Sequence, residues 1–134
     1  MFKKVFASLF ILVGFAVASV NQQGIEFKPV KKTFNKSEEV CFYIKNNTDT
    51  ELYLPSSAPW AVFEDSKFDR IVFSPVATQS IVRLEPSQKK QWCWKQKDFN
   101  DEQVPSGEYT IRLTVFKNGE RLFLTSMVEI KNSQ

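Results

Sequence analysis

A short segment in which two tryptophans flank a cysteine, Trp92-Cys93-Trp94, constrains the fold of this chain more than any other feature. If the segment is a β-strand, its side chains alternate between two faces, so both indoles share one face and Cys93 lies on the other. Indoles are large and mostly apolar, and we expect their face to turn toward a core. The segment therefore predicts a strand with Trp92 and Trp94 inside and the cysteine outside.

The second cysteine, Cys41, lies in another alternating segment, where Val40 and Phe42 share the apolar face. One disulfide between Cys41 and Cys93 is the simplest use of two cysteines in an exported chain of this size. Two free buried thiols are the alternative in a reducing compartment. Neighbouring antiparallel strands joined by this disulfide would pair Val40 with Trp94 on the core side, and the flanking residues would follow in antiparallel order.

The start of the chain, residues 1–18, has the pattern of an export signal. Two lysines precede a thirteen-residue apolar run, which is short for a membrane span, and Ala16-Val17-Ala18 supplies the small residues that a signal peptidase requires. We predict a signal helix over residues 1–18 and a mature domain over residues 19–134, in the periplasm or outside the cell. An uncleaved segment, the alternative, would anchor the domain and be its contact with the membrane.

After residue 20, apolar residues alternate in short runs separated by turn residues, with almost no helical periodicity. The runs predict seven or eight strands in an all-β, immunoglobulin-like antiparallel sandwich. The clearest pair is residues 109–116 and 122–130, joined by Asn118-Gly119, a pair typical of type I′ turns. Pro29 lacks an N–H, so the first strand is expected to lie at a sheet edge or to break there.

Two prolines bracket a loop of small residues before the third tryptophan, Pro55-Ser56-Ser57-Ala58-Pro59-Trp60. The loop is either an exposed recognition loop with Trp60 as its anchor, or a crossover between sheets whose Trp60 closes one end of the core. Single tryptophans are mostly buried, which favours the crossover. Pro55, Pro59 and Trp60 are nonetheless the candidate binding residues.

Three segments resemble the family named for a bacterial intracellular proteinase inhibitor, the BsuPI-like domains. The segments are Leu84-Glu85-Pro86-Ser87, Trp92-Cys93-Trp94-Lys95-Gln96-Lys97-Asp98 and Val104-Pro105-Ser106-Gly107-Glu108-Tyr109-Thr110. The resemblance covers roughly residues 37–115 and implies an immunoglobulin-like sandwich, with proteinase inhibition as a specific activity. This chain has Ser87 and Asp101 where the family commonly has glycine. We expect a type I turn at residues 85–88, with proline in its second position.

Tyr109 follows Gly107-Glu108 at the start of the penultimate predicted strand. In Greek-key sandwiches a tyrosine here folds back and donates a hydrogen bond to the main chain of the preceding connection. A structural role is therefore predicted for Tyr109.

The chain contains no histidine, and so it lacks the usual general base and the commonest metal ligand. Its acidic doublets, at residues 38–39, 64–65 and 101–102, fall at strand starts or in turns, where solvated charge is the ordinary explanation. Removing residues 1–18 leaves sixteen basic against fifteen acidic residues, which gives nucleic-acid binding no basis. We expect no catalytic residue, no cofactor and no metal site.

These features predict an exported, non-catalytic module that binds another protein, with proteinase inhibition as its specific version. The alternative is a structural envelope or filament subunit, which would form homo-oligomers by adding residues 19–27 as a strand to a neighbouring copy.

Overall fold

Residues 19–20 and 23–132 of the chain are described by a computed structural model, and their regular structure consists of β-strands. Among these residues, no helix is long and apolar enough to cross a membrane. The predicted signal helix over residues 1–18 lies outside the described residues. The eleven strands of the described residues are β1 (Ser19–Val20), β2 (Ile25–Pro29), β3 (Thr33–Asn35), β4 (Val40–Asn46), β5 (Leu52–Leu54), β6 (Trp60–Glu64), β7 (Ile71–Phe73), β8 (Val82–Leu84), β9 (Lys89–Trp94), β10 (Gly107–Lys117) and β11 (Glu120–Lys131).

The smaller sheet has the strand order β2-β4-β9, and both of its pairings are antiparallel. β4 and β9 pair in the predicted register, with Cys41 opposite Cys93 and Val40 opposite Trp94. The cysteines form a disulfide, and their Cα atoms lie 4.0 Å apart. Cys93 is exposed and Cys41 is half-buried, so the disulfide lies on the face away from the core. The predicted disulfide and its face are confirmed.

The larger sheet is built around the hairpin of β10 and β11, which pair along their whole length. Asn118 and Gly119 form the turn, with φ angles of 52° and 79°, as a type I′ turn requires. The predicted terminal hairpin is therefore confirmed. β1 and β3 pair with β11, while β5 and β6 pair with β10 and carry β8 and β7 on their outer sides.

The described residues form eleven strands, more than the seven or eight predicted, and the short strand β3 that follows Pro29 is one of the additional strands. Pro29 ends β2 at the edge of the smaller sheet, and β3 then runs parallel to β11 in the larger one. The loop from Pro55 to Pro59 separates β5 from β6, yet both strands pair with β10. The expectation that this loop crosses between sheets is wrong, because both of its ends belong to one sheet.

The core lies between the sheets, and Phe42 of β4 links their side chains. Its ring meets Phe27 edge-on at 5.9 Å and Trp60 edge-on at 5.0 Å between ring centroids, which is a favourable arrangement for aromatic rings. Val40 and Phe42 are fully buried, as predicted. The alternation of β4 thus directs its large apolar side chains inward and its cysteine outward.

The two tryptophans of β9 differ in burial. Trp94 is buried, packs against Tyr109 at 5.6 Å and donates its indole N–H to the carbonyl of Lys97. Trp92 is only half-buried, because β9 is the edge strand of the smaller sheet. The prediction of two core indoles therefore holds for Trp94 and only in part for Trp92.

The connection before β10 is held by Tyr109, whose hydroxyl donates a 2.6 Å hydrogen bond to the carbonyl of Pro105. Burial, and then the negative charge of Glu64, raises the pKa of Tyr109. The hydroxyl therefore keeps its proton at neutral pH and remains a donor, as the predicted structural role requires.

The turn before β9 differs from the expected type I. Gln88 donates its N–H to the carbonyl of Glu85 at 3.0 Å, which closes the turn. Ser87, in the third position, has a φ of 74°, and a positive φ there defines a type II turn. Ser87 alone changes the turn from type I to type II, because its backbone has the positive φ that glycine adopts most readily.

Candidate binding surface around Pro55

Two depressions adjoin the loop between β5 and β6, and Pro55 lines both. The first is a groove of about 560 Å³ between this loop and the segment that follows β7, with Pro55, Pro59 and Trp60 on one side and Ser74, Pro75, Ala77 and Gln79 on the other. The second has a volume of about 580 Å³ and is lined by Tyr53, Leu54, Pro55, Ile81, Phe116 and Gly119. The predicted loop therefore belongs to a continuous surface.

Trp60 is not an exposed anchor, because only 6% of it is accessible to solvent. Its ring packs against Phe42 at 5.0 Å and Phe73 at 5.9 Å. The burial of Trp60 that the favoured interpretation predicted is confirmed, although its loop does not cross between the sheets. Among the described residues its indole N–H has no hydrogen-bond partner. Trp60 thus supports the groove from below, while Pro55 and Pro59 remain partly accessible.

A relay of hydrogen bonds joins the loop to the segment after β7. Ser57 donates its N–H to the carbonyl of Thr78 at 3.1 Å, and Thr78 donates its N–H to Oγ of Ser57 at 3.0 Å. Trp92 donates its indole N–H to the carbonyl of Ser57 at 2.9 Å. The two walls of the groove are therefore fixed to each other and to β9.

Exposed apolar side chains are concentrated on this surface. The described residues include eight exposed large apolar side chains, and four of them lie here: Tyr53, Ile71, Val76 and Ile81. Tyr53 and Ile81 line the second depression, Ile71 lines the groove, and Val76 lies between two residues that line it. A cluster of this kind on a protein surface commonly marks an interaction site.

The rim of the second depression is polar. Tyr53 donates its hydroxyl to Oε1 of Glu51 at 2.8 Å, and Arg83 contacts Oε2 of the same carboxylate at 3.3 Å. The hydrogen bond to Glu51 raises the pKa of Tyr53, so its hydroxyl stays protonated at neutral pH. An apolar floor with a charged rim resembles the anatomy of protein interfaces.

One cluster has the composition of a metal site without its chemistry. Ligand atoms of Glu39, Cys41 and Cys93 lie within 4.8 Å of one another. Both sulfurs are bonded to each other, and a metal requires them as thiolates. The cluster therefore offers a single carboxylate, which does not make a metal site.

Sequence reasoning missed the segment after β7 and a cluster of aromatic rings around Arg112. Residues 74–80 lack alternation, so the only local signal of a constrained loop was Pro75. On the outer face of the larger sheet, the guanidinium of Arg112 lies 4.8 Å from the rings of Phe63 and Phe123 and 5.5 Å from Phe68. Alternation in β10 indicates that Arg112 faces outward, but its aromatic neighbours come from other strands.

No family model matches the chain, and no curated protein matches it. Among solved structures, it is similar to the Pseudomonas fluorescens alkylpurine DNA glycosylase AlkC (14% identity, TM-score 0.43), covering 81% of this chain and 30% of that one. It is also similar to the Listeria innocua β-glucosidase (16% identity, TM-score 0.39), and this match covers 81% of this chain and 16% of the glucosidase. A PapD-like domain of human CEP192 is similar along its whole length (14% identity, TM-score 0.39), and the match covers 98% of this chain and 99% of that domain. Likenesses of this size assign neither a family nor a function.

Proposed function

We propose that the protein is an exported, non-catalytic module that binds another protein through the surface around Pro55, on an immunoglobulin-like scaffold. The order β2-β4-β9 corresponds to strands A, B and E of that fold, and the β10–β11 hairpin to strands F and G. Export is supported by the disulfide, since disulfides persist in oxidising compartments. The pattern of residues 1–18 agrees with this location.

The observation that carries the proposal is that the exposed side chains of Tyr53, Ile71 and Ile81 line two depressions that adjoin at Pro55. These side chains come from two strands, β5 and β7, and from the connection between β7 and β8, so their proximity is a property of the fold. Binding hot spots form where apolar side chains meet within a rim that excludes water. The hydrogen-bonded relay from Trp92 through Ser57 holds the surface in one shape, which lowers the entropy cost of binding.

The pairing of the N-terminal segment favours a binding module over a subunit that lends a strand. Ser19–Val20 pairs with β11, and Ile25–Pro29 pairs with β4, within the same chain. A segment that already completes its own sheets is not free to join a neighbouring copy.

The test is capture of a partner from the cell envelope and culture medium of the source organism. Ile81, which is 74% exposed, is replaced by aspartate, and Val30, which is 51% exposed in the β2–β3 connection, is replaced in the same way as the control. We expect a protein that the wild type and the Val30→Asp variant retain and the Ile81→Asp variant loses. Equal capture by both variants, or none by the wild type, would contradict the proposal.

A further inference from the structure

We propose that the open edge of β9 binds an extended, acidic segment of a partner protein, which adds to the smaller sheet as a fourth strand. This edge is a second interaction surface beyond the proposed one around Pro55, and it is made of main-chain groups and lysines. Three observations carry the inference: the main-chain groups that β9 turns away from β4, the length of the edge, and the lysines along it.

Every second residue of β9 turns its main-chain groups away from β4. Opposite residues of an antiparallel pair alternate between hydrogen-bonded pairs, with Cα atoms about 5.5 Å apart, and closer pairs without hydrogen bonds, about 4.5 Å apart. The Cα atoms of Cys41 and Cys93 lie 4.0 Å apart, as in a pair without hydrogen bonds. Beyond the other end of the ladder, Asn46 donates its N–H to the carbonyl of Gln88, in the same alternation. The residues of β9 whose N–H and carbonyl groups point away from β4 are therefore Lys89, Gln91 and Cys93.

The edge of β9 opposite β4 is open among residues 19–20 and 23–132. In these ranges β9 pairs with β4 alone, and no hydrogen bond from a loop reaches the main chain of Lys89, Gln91 or Cys93. All three residues are exposed. β9 is six residues long and contains no proline, whereas the outer strands β7 and β8 of the larger sheet have three residues each. A long edge with unpaired main-chain groups is a template for an added strand.

Lysines along the edge determine which strand it accepts. Lys89 and Lys90 begin β9, and Lys95 follows its last residue. None of the three forms an ion pair within the part of the chain that the structure describes. The ammonium group of Lys89 lies 4.2 Å from the ring centroid of Tyr43, and that of Lys90 lies 5.5 Å from that of Trp92. These contacts hold positive charge beside the edge, where it attracts a strand that carries carboxylates.

The same lysines exclude a second copy of this chain as the occupant. Two β9 strands paired edge to edge would bring their lysines together, and like charges on neighbouring strands repel each other. An acidic segment replaces this repulsion by attraction. We therefore expect a partner segment of alternating acidic and apolar residues, whose apolar side chains extend the face that carries the half-buried Trp92.

The experiment follows amide hydrogen exchange by NMR in the purified protein, with and without an eight-residue peptide of alternating glutamate and valine at low salt. In the free protein, the N–H groups of Lys89, Gln91 and Cys93 are expected to exchange about 100-fold faster than those of Lys90 and Trp92, which face β4. The peptide is expected to slow the three fast amides by about tenfold or more. The inference is overturned if they stay fast at about 1 mM peptide. It is also overturned if they are already slow in the free protein, as in a dimer paired through this edge.

A proline variant tests strand addition separately from charge. Gln91→Pro removes the central N–H that points away from β4 and leaves the hydrogen bonds to β4 in place, as proline does on an edge strand. Gln91→Ala is the matched control, because it removes the same side chain and keeps the N–H. We expect both variants to fold, and Gln91→Pro to bind the peptide about tenfold more weakly than Gln91→Ala. Equal affinities of the two variants would overturn strand addition.

A charge reversal tests the selection of an acidic segment. Lys89→Glu with Lys95→Glu is expected to weaken binding of the glutamate peptide by about tenfold or more, and to create binding of the peptide with lysine in place of glutamate. Lys32→Glu with Lys67→Glu, at exposed lysines outside β9, changes the net charge equally and should weaken binding by about twofold at most. Equal losses in the two variants would overturn the inference.

The two interaction surfaces are separated by Ile81→Asp. This variant is expected to bind the glutamate peptide as the wild type does, and a loss of peptide binding would place the peptide at the surface around Pro55 and overturn the inference. Partner capture that depends on Ile81 would then leave the proposed function standing.

Discussion

Removal of the disulfide is the sharpest test of how this fold is stabilised. The variant replaces both Cys41 and Cys93 by alanine. Their side chains lie on the outer face of the smaller sheet, with Cys93 exposed and Cys41 half-buried, so alanine opens no cavity in the core. The change therefore acts mainly by releasing the unfolded chain from its cross-link.

The expected size of the effect follows from the 52 residues that separate the two cysteines. The chain-entropy model for a loop of this length gives a loss of about 14 cal/mol/K, which is about 4 kcal/mol at 25 °C. The total free energy of unfolding of a domain is about 5 to 15 kcal/mol. The double alanine variant is therefore expected to fold, with a large part of its stability lost.

Urea unfolding at 25 °C, followed by tryptophan fluorescence, measures this loss. The wild type in a reducing agent should lose the same free energy by an independent route. Lys45→Ala with Lys89→Ala is the matched control, because these residues face each other in the same pair of strands without a covalent link. Its effect is expected to stay within about 1 kcal/mol. A loss below about 1.5 kcal/mol in the alanine variant would refute the entropic reasoning.

Three further predictions concern single residues. Tyr109→Phe removes the 2.6 Å hydrogen bond to the carbonyl of Pro105 and should cost about 1 to 2 kcal/mol, seen as a fall of about 5 °C in Tm. Ser87→Gly should stabilise by about 0.5 to 1 kcal/mol in urea unfolding, because Ser87 has a φ of 74° that glycine adopts without strain. The hydrogen bond that the N–H of Asn35 donates to Glu38 is the main cause that lowers the pKa of this carboxyl group below its ordinary value of 4.5. This carboxylate therefore stabilises the fold above about pH 4.5 and loses its effect as the pH falls through its folded pKa, so the Tm of Glu38→Gln should converge with that of the wild type as the pH falls below that folded pKa.

Each of these predictions has a control or an opposing outcome. Tyr53→Phe removes an exposed hydrogen bond and should lower Tm by less than Tyr109→Phe does. Ser66→Gly, at a serine without a positive φ, should destabilise where Ser87→Gly stabilises. A constant difference in Tm between Glu38→Gln and the wild type from neutral to acidic pH would show that the carboxylate is not the cause.

Gln96 illustrates what a local pattern does not predict. Its side chain is fully buried, and its amide donates 2.8 Å hydrogen bonds to the carbonyls of Asn35 and Glu38 and accepts one from Gln103. The residue follows a strand and is surrounded by lysines, which suggests a solvated position. Asn35, at the end of β3, and Glu38, in the connection that follows it, are distant from Gln96 in the chain, and they meet it only once the strands are packed.

The amino-acid sequence alone determined the strand pattern, the terminal hairpin and the pairing of Cys41 with Cys93. These follow from the two-residue period of strands and from turn residues, which act between neighbours along the chain or across one pair of strands. Only the tertiary structure decided that Trp60 is buried, that Trp92 is half-buried, and that the loop after Pro55 meets the segment carrying Val76. These contacts join residues distant in the chain, and they depend on how the two sheets pack, which no local period encodes.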